Sequence, residues 1–280
     1  MLSAVGDVNL GNGPGAMIAR FGPGYPWTSV GAVTSKADIA FANLECAVSL
    51  RGSPQAKKFV FRGRPSSVHA MSRRGGIDVV SLANNHAGDY GDTALLDTQR
   101  HVREAGITSV GAGANEQLAH RPRIIRRLGL RVAFVGFSTI LPFNFRGLGH
   151  DPGTAWGTPA RVRRAVRRAR RRADVVVAAF HWGTERDTHE SAAQRELAQV
   201  ALRAGATAVI GSHPHVLQPI RRLPKRRLIA YSLGNFVFSA SSPTTARTGI
   251  LELSLTRRGV VGSRFKRATI RAGRPVFDRR

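Results

Sequence analysis

Side chains of metal-binding types occur directly after five β-rich segments of the chain. The segments 2–5, 39–42, 79–82, 175–180 and 208–210 each predict a strand, and each runs into a carboxylate, an amide or an imidazole. The side chains concerned are Asp7, Glu45, Asn85, His181, His213 and His215, with Asn9 and His86 beside them. Ligand sites in α/β sheets gather at the carboxyl ends of the strands. The pattern therefore predicts that residues far apart in the sequence meet in one site.

The chemistry of these side chains suits divalent metal ions. Two carboxylates, an amide and three imidazoles form a mixed nitrogen and oxygen set, which Mn, Fe or Zn accept. Six ligands are too many for one tetrahedral zinc ion. Two ions that share a carboxylate could use them all, and such a pair, about 3.5–4 Å apart, can clamp a phosphoryl group and activate a water.

Each residue also has an ordinary structural interpretation. Asp7 and the pair Asn84-Asn85 are residue types that form turns. Glu45 could be a surface acid, and His181 could be a hydrogen-bonded histidine of the core. The recurrence of ligand types at five strand ends favours the metal-site interpretation over five separate coincidences.

The rest of the sequence predicts an α/β fold. Further strands are predicted at 132–137, 228–232 and 250–255, and helices at 66–74, 93–105, 159–173 and 192–204. The near-continuous apolar run 174–180 is typical of a sheet that is covered on both faces. Since no repeat or linker divides the chain, we expect a single domain over 1–280, with a basic C-terminal tail at about 260–280 that frays. The turn-rich segment 141–157 is expected to be a lid or an excursion at the edge of a site.

The chain is strongly basic, with 43 Lys and Arg against 17 Asp and Glu and a formal charge of +26. Eight arginines lie between 161 and 172, and Thr158-Pro159 is a good helix start. Apolar residues recur at helical spacing in this run, which favours a solvated helix face over a dedicated binding surface. An anionic substrate is expected, whereas nucleic acid is not, because no nucleic-acid-binding motif is present.

Composition excludes several classes of protein. Hydrophobic residues make up 42% of the chain, which excludes wholesale disorder. The single cysteine, Cys46, excludes an internal disulfide framework and a cysteine-rich zinc site. No apolar run approaches the roughly 20 residues of a membrane span, and no signal peptide is recognisable. The sequence as written therefore predicts a cytoplasmic location.

The same segments resemble the CapA family of poly-γ-glutamate capsule synthesis proteins, within the calcineurin-like metallophosphoesterase superfamily. The matching segments are Gly6-Asp7, Asn43-Leu44-Glu45, Lys58-Phe59-Val60-Phe61-Arg62-Gly63, Asn84-Asn85-His86, His181-Trp182-Gly183, Gly211-Ser212-His213-Pro214-His215-Val216 and Ser232-Leu233-Gly234-Asn235-Phe236. The resemblance implies an α/β fold, a four-layer β-sandwich flanked by helices, with two divalent metal ions at the strand ends. Members of this family are often membrane-anchored or extracellular, which conflicts with the expected location.

The resemblance also implies a role for each residue of the site. The implied ligands of the first metal are Asp7 and His215, those of the second are Asn85, His181 and His213, and Glu45 stands at the bridging position. His86 matches the histidine that protonates the leaving group or steadies the transition state. Asn9 stands where the superfamily commonly has histidine, and its amide oxygen is a weaker ligand than imidazole.

Four further residues are candidates around this site. Lys58 and Arg62 are expected to bind the substrate anion, although both could be exposed cations of an edge strand. Asn235 is expected to orient His213 or His215, or to serve as a turn amide. For Glu185, a capping or surface role is preferred over assistance to the site.

Two functions remain open from the sequence. The first is a metal-dependent hydrolase of the phosphoesterase type, with His86 as the acid and basic side chains on the substrate. The alternative is a non-catalytic or accessory subunit that binds an acidic polymer, poly-γ-glutamate, for capsule synthesis or export.

Overall fold

The computed structural model describes residues 1–278, which form two large β-sheets with helices on their outer faces. The strands are β1 (Leu2–Val8), β2 (Ile39–Leu44), β3 (Ala47–Val48), β4 (Arg62–Gly63), β5 (Val79–Ser81), β6 (Thr108–Val110), β7 (Ala112–Gly113), β8 (Arg123–Arg127), β9 (Leu130–Ser138), β10 (Gly153–Thr154), β11 (Val175–His181), β12 (Ala208–Ser212), β13 (Ile220–Leu223), β14 (Arg227–Ala230), β15 (Asn235–Val237), β16 (Arg247–Thr256), β17 (Gly259–Arg271) and β18 (Arg274–Phe277). The helices are α1 (Asn12–Phe21), α2 (Gly31–Thr34), α3 (Pro65–Arg73), α4 (Gly91–Glu104), α5 (Glu116–Ala119), α6 (Pro159–Arg170), α7 (Ala192–Ala204) and α8 (Pro243–Ala246), with 3-10 turns at Tyr25–Trp27 and Phe143–Phe145.

Both sheets combine parallel strands with antiparallel ones, which lie at one edge of the first sheet and at both edges of the second. The first sheet has eight strands in the order β18-β17-β16-β1-β2-β5-β6, with β15 paired to β1. Its strands β1, β2, β5 and β6 are parallel. The second sheet has six strands in the order β13-β14-β12-β11-β9-β8, of which β9, β11, β12 and β14 are parallel. The parallel strands of each sheet end at a common edge.

Apolar packing joins the sheets into a sandwich. Phe41 of β2 stacks on Phe134 of β9 with ring centroids 5.8 Å apart, between the sheets. Alternation along β1 places Leu2 and Ala4 in this central core and Val5 in the core beneath α3 and α4. Val8 also lies in the core beneath the helices, because the register of β1 shifts between Ala4 and Asp7. Helices α6 and α7 cover the second sheet in the same way. The layers are therefore helix, sheet, sheet and helix, which confirms the predicted four-layer fold class.

Most predicted elements are present, with shifted ends. Helix α7 has the predicted bounds, with a capping box between Ser191 and Gln194 at its start and Gly205 in the left-handed conformation after its end. Helix α6 begins with the predicted cap, since the Thr158 hydroxyl accepts a hydrogen bond from the Arg161 backbone N–H. Strand β1 continues to Val8, so Asp7 lies inside the strand rather than after it.

The prediction of a frayed tail at about 260–280 is wrong for the described residues. Strands β17 and β18 pair with β16 and with each other at the edge of the first sheet. Buried Val260, Ala268 and Ile270 hold this edge on the core despite the many basic residues around them. The last two residues of the predicted tail, Arg279 and Arg280, lie outside the described residues.

The turn-rich segment 141–157 and the arginine-rich helix α6 both pack against the core. The segment 141–157 packs through Phe145, which is buried against Gly88. In α6 the residues Val162, Ala165, Val166 and Ala169 are buried, and arginines cover the exposed face. Across residues 1–278, none of the helices combines the length and the apolar character that crossing a membrane requires.

Candidate metal centre

Strand pairing places polar residues from distant segments of the chain side by side at the ends of neighbouring strands. Asp7 of β1 is opposite Asn43 of β2 on one side and Asn235 of β15 on the other. In the second sheet, His181 of β11 is opposite Ser212 of β12. These parallel pairings fix the positions of the site residues, because the backbone hydrogen bonds of the sheets set the register.

The Glu45 carboxylate lies between two imidazoles. Its Oε1 atom is 3.8 Å from Nε2 of His181 and 3.8 Å from Nε2 of His215. Glu45 is completely buried. A carboxylate oxygen at equal distance from two imidazoles has a geometry that suits a bridge between two metal ions.

The other predicted ligands gather around this oxygen. The ligand atoms of Glu45, His181 and His213 all lie within 4.8 Å of one another, and so do those of Asp7, Glu45 and His215. Nδ1 of His215 is also 3.4 Å from Oδ2 of Asp7. The Glu45 carboxylate is common to both groups.

Two buried polar atoms of the site lack any hydrogen-bond partner among the described residues. They are Oε1 of Glu45 and Nδ1 of His213. A buried polar atom without a partner costs about 1–3 kcal/mol, so such atoms call for a ligand. Both atoms are electron-pair donors of the kind that divalent metals bind, so these residues fit a metal pair.

The electrostatics of the metal-free chain agree with this fit. Burial, and next the nearby Asp7 carboxylate, raise the pKa of Glu45 well above its usual value. Burial lowers the pKa of His213 to about 4 and that of His181 well below its usual value, and the other imidazoles add to both effects. Neutral imidazoles are the form that binds metals. Bound cations would also relieve the repulsion between the two carboxylates.

Three asparagines contact the aspartate and histidine side chains of the site. Oδ1 of Asn85 is 2.7 Å from Nε2 of His181, so the predicted ligand Asn85 does lie in the site. Oδ1 of Asn235 is 2.9 Å from Nδ1 of His215, which is the predicted orienting contact. Sequence analysis missed Asn43, whose amide donates a hydrogen bond to Oδ1 of Asp7 (2.8 Å) and lies 3.3 Å from Nδ1 of His181.

Asn9 is buried next to the site, but its side chain has another partner. Its Oδ1 atom accepts a hydrogen bond of 2.8 Å from the backbone N–H of Gly11, in the turn that leads into α1. This bond is typical of an Asx turn. The turn therefore uses the oxygen that the sequence assigned to metal binding.

His86 lies in a buried network that the sequence showed only in part. Its Nδ1 atom is 2.7 Å from Oδ2 of Asp89 and 3.3 Å from Nζ of Lys57. Phe61 stacks on the imidazole ring at a centroid distance of 4.0 Å. Burial lowers the pKa of His86, and the hydrogen bond to Asp89 opposes that effect. Asp89 and Lys57 were not among the predicted site residues.

The two basic residues predicted to bind the substrate contact other parts of the protein. Lys58 is exposed and its ammonium lies 5.4 Å from the ring centroid of Phe59. The guanidinium of Arg62 lies 3.5 Å from the centroid of the Tyr90 ring and donates hydrogen bonds to the carbonyls of Arg51 and Gly52. The structure thus places Lys57, rather than Lys58, beside the candidate site.

The backbone of the histidine loop is strained. His213 has φ +96° and His215 has φ +59°, in the region that residues other than glycine rarely occupy. Strain of this kind costs about 1–3 kcal/mol per residue and concentrates at functional sites. Here it turns two imidazoles, separated by Pro214, toward the same pair of carboxylates.

The fold defines the class of protein. A phosphatase of Mycoplasma pneumoniae, 12% identical, aligns with a TM-score of 0.60 over 96% of this chain and 92% of its own. A hypothetical protein of Thermus thermophilus, 18% identical, aligns with a TM-score of 0.58 over 96% of this chain and 98% of its own. The chain has the calcineurin-like phosphoesterase fold, as the sequence predicted.

The sequence then defines the family. The chain belongs to the bacterial capsule synthesis protein family PGA_cap, which matches residues 1–240. The capsule biosynthesis protein CapA of Bacillus anthracis is 30% identical over 92% of this chain and 64% of its own length. The PGA biosynthesis protein CapA of Bacillus subtilis (strain 168) is 29% identical over 92% of this chain and 68% of its own length. The chain thus spans about two thirds of these relatives, and the predicted family is confirmed.

Proposed function

We propose that this chain is a metal-dependent hydrolase of phosphate esters with a dinuclear centre. The observation that carries the proposal is the buried Oε1 atom of Glu45, which is 3.8 Å from the imidazoles of both His181 and His215 and has no hydrogen-bond partner within residues 1–278. A purely structural buried carboxylate is normally satisfied by donors. Metal binding accounts for its position and for its free electron pairs.

Two groups of residues would hold the metals. Asp7 and His215 would bind one ion, and His181, His213 and Asn85 the other, with Glu45 shared between them. Manganese, iron and zinc all accept this set of ligands. When bound, such a pair supplies charge stabilisation to a phosphoryl group and lowers the pKa of water.

His86 would move the proton in this reaction. Its Nδ1–H donates to Asp89, with the Lys57 ammonium 3.3 Å from the same nitrogen, so Nε2 is the ring nitrogen left to face a leaving-group oxygen. Asp89 stabilises the protonated ring, while Phe61 stacked on its face limits its rotation. A positioned acid of this kind contributes about 10²–10⁴-fold to a rate.

The charge of the chain suits an anionic substrate. A formal charge of +26 favours encounter with phosphate esters and with acidic polymers alike. The alternative to the hydrolase is a non-catalytic accessory role with an acidic polymer, in line with the printed description of the Bacillus subtilis relative as a PGA biosynthesis protein. We favour the hydrolase because polymer binding would need neither a buried carboxylate between imidazoles nor the His86–Asp89 pair.

The test combines metal content with hydrolysis. Purified protein is loaded with Mn²⁺, Fe²⁺ or Zn²⁺, its metal is counted, and p-nitrophenyl phosphate and bis(p-nitrophenyl) phosphate are offered as substrates. We expect two ions per chain and hydrolysis of at least one ester. His86→Ala should abolish hydrolysis and keep both ions, while His150→Ala, at an exposed histidine of the loop after β9, should change neither.

Two results would overturn the proposal. Failure of the fully loaded protein to cleave either ester would favour the accessory role. Full activity of His86→Ala would remove the assigned proton donor.

A further inference from the structure

We propose that Glu185 is a third carboxylate ligand of the metal pair and binds it from the solvent side; this inference rests on the proposed dinuclear centre. A carboxylate oxygen of Glu185 and one ring nitrogen each of His213 and His215 lie within 4.8 Å of one another. Glu185 is exposed, whereas His213 is only 4% exposed. The carboxylate therefore stands at the mouth of the buried site.

The backbone around Glu185 is held over the histidine loop. The N–H of Arg186 donates a hydrogen bond of 2.8 Å to the carbonyl of Pro214, which lies between the two histidines. The buried amide of Gln218 donates to the carbonyls of Asp187 and His189, each at 2.9 Å. Since these bonds fix the main chain beside Glu185, only its side chain has to become ordered when a metal binds.

An unpartnered ring nitrogen points to the same conclusion. Nδ1 of His213 is buried and has no hydrogen-bond partner among the described residues. His213 belongs both to the group with Glu45 and to the group with Glu185. An ion bound by His213 can thus take a carboxylate from the buried side and another from the exposed side.

Charge and ligand supply favour this third carboxylate. Asp7 and Glu45 provide two negative charges, while two divalent ions bring four positive ones. Asp89 does not contribute, because its carboxylate is bound to Lys57 and His86. The oxygen of Asn9 is engaged by the backbone of Gly11. Glu185 supplies one of the two missing negative charges and a free oxygen ligand.

Of the capping or surface role preferred from the sequence, the capping role is wrong, whereas the exposed position of Glu185 agrees with a surface residue. Helix α7 begins after Ser191, and Ser191 and Gln194 form its capping box without Glu185. Within residues 1–278, Glu185 also forms no ion pair. Its carboxylate is therefore available to a ligand.

The experiment measures Mn²⁺ binding to the metal-free full chain by isothermal titration calorimetry, with metal analysis after dialysis. Glu185→Gln removes the charge and keeps the shape, and Glu185→Asp keeps the charge but shortens the side chain. Asp187→Asn is the matched control, since it removes one charge from the same exposed loop. Melting of each metal-free variant verifies its fold.

We expect Glu185→Gln and Glu185→Asp each to weaken the binding of one Mn²⁺ about tenfold or more, and Asp187→Asn to weaken it less than about twofold. Equal binding by Glu185→Gln and Asp187→Asn would overturn the inference. If Glu185→Asp binds Mn²⁺ as tightly as the wild type while Glu185→Gln binds it more weakly, the inference is also overturned. The carboxylate would then attract the ion by its charge without coordinating it. Loss of affinity in Glu185→Asp supports coordination even if Glu185→Gln fails to fold.

The two proposals fail in different ways. If the wild-type chain binds no metal, the dinuclear centre is overturned and Glu185 loses its role with it. If the wild type binds two ions and the Glu185 variants match it, only the role of Glu185 is overturned.

Discussion

Oδ2 of Asp89 lies 2.7 Å from Nδ1 of His86, and the Asp89 carboxylate is completely buried. The same oxygen accepts a hydrogen bond of 2.7 Å from the backbone N–H of Phe61, and the other oxygen pairs with Lys57. Three donors of the protein keep this carboxylate in place. The relationship fixes the plane of the His86 ring, so Asp89 is a positioning residue for the proposed acid.

Replacing Asp89 should therefore impair the chemical step more than substrate binding. We expect Asp89→Asn to lower kcat about 10- to 1000-fold, which is part of the roughly 10²–10⁴-fold that general acid catalysis contributes. KM and the content of two metals should stay nearly unchanged, because Asp89 belongs to neither ligand group. Steady-state kinetics and metal analysis check this prediction, and an unaltered kcat would contradict it.

Metal binding should also stabilise the fold. Because the ligands come from both sheets, the unfolded chain cannot bring them together, and binding to the folded state alone raises its stability by about 4 kcal/mol at 1,000 times Kd. We expect Mn²⁺ to raise the melting temperature and EDTA to reverse the increase. His213→Ala should show a smaller increase than His150→Ala. Identical melting curves with and without Mn²⁺ would contradict the prediction.

The close approach of β1 to the segment before β15 leads to a third prediction. A Cβ atom on Gly6 would lie 1.8 Å from the carbonyl oxygen of Gly234, which accepts the backbone N–H of Asp7. Gly6→Ala must push these segments apart and displace both Asp7 and Asn235. We expect a loss of about 3 kcal/mol in the free energy of unfolding, at the upper end for overpacking, together with weakened Mn²⁺ binding.

Gly24→Ala is the control for this prediction. Gly24 has φ −77°, and an added Cβ would meet only Cγ of Arg74, at 3.7 Å. Its urea unfolding curve should match that of the wild type. Stability of Gly6→Ala within about 1 kcal/mol of the wild type would mean that the strands separate more easily than their packing indicates.

The sequence singled out side chains that the structure brings together, because strand ends and turn chemistry are local signals. Each of Asp7, Glu45, His181 and His213 follows or ends an apolar run, and the sheets bring such ends together. Helix α7 was predicted at both ends because its cap residues and Gly205 are local as well. Features that depend on one helix or strand and its caps can therefore be predicted from the sequence.

Features that depend on contacts between helices, strands and loops were missed or were assigned to the wrong residue. Lys57 and Lys58 are adjacent in a bend, and only the packing of that bend against Asp89 decides which of the two lysines faces the site. Asn43 lies in a strand, and its residue type alone does not show that its side chain contacts the site rather than another part of the core. Strand β17 carries so many basic residues that its buried positions do not stand out from a loose tail.

The Arg131–Asp174 pair should contribute to stability against acid. Asp174 accepts hydrogen bonds from the Arg131 side chain and backbone, and these lower its pKa to about 2, below its ordinary value of 3.8. A carboxyl whose folded pKa is depressed stabilises the fold above its unfolded pKa, and that stabilisation disappears as the pH falls from 3.8 toward 2. Asp174→Asn should flatten the loss of unfolding free energy across this interval.

Arg131→Gln should flatten the same interval, because it removes the partner that lowers the pKa of Asp174. If the pair acts as a unit, the double variant should lose less stability at neutral pH than the sum of the two single variants. Urea unfolding at a series of pH values, on metal-free protein, measures all four chains. Additive single effects, or an unchanged slope in Asp174→Asn, would show that this pair does not protect the start of β11 from acid.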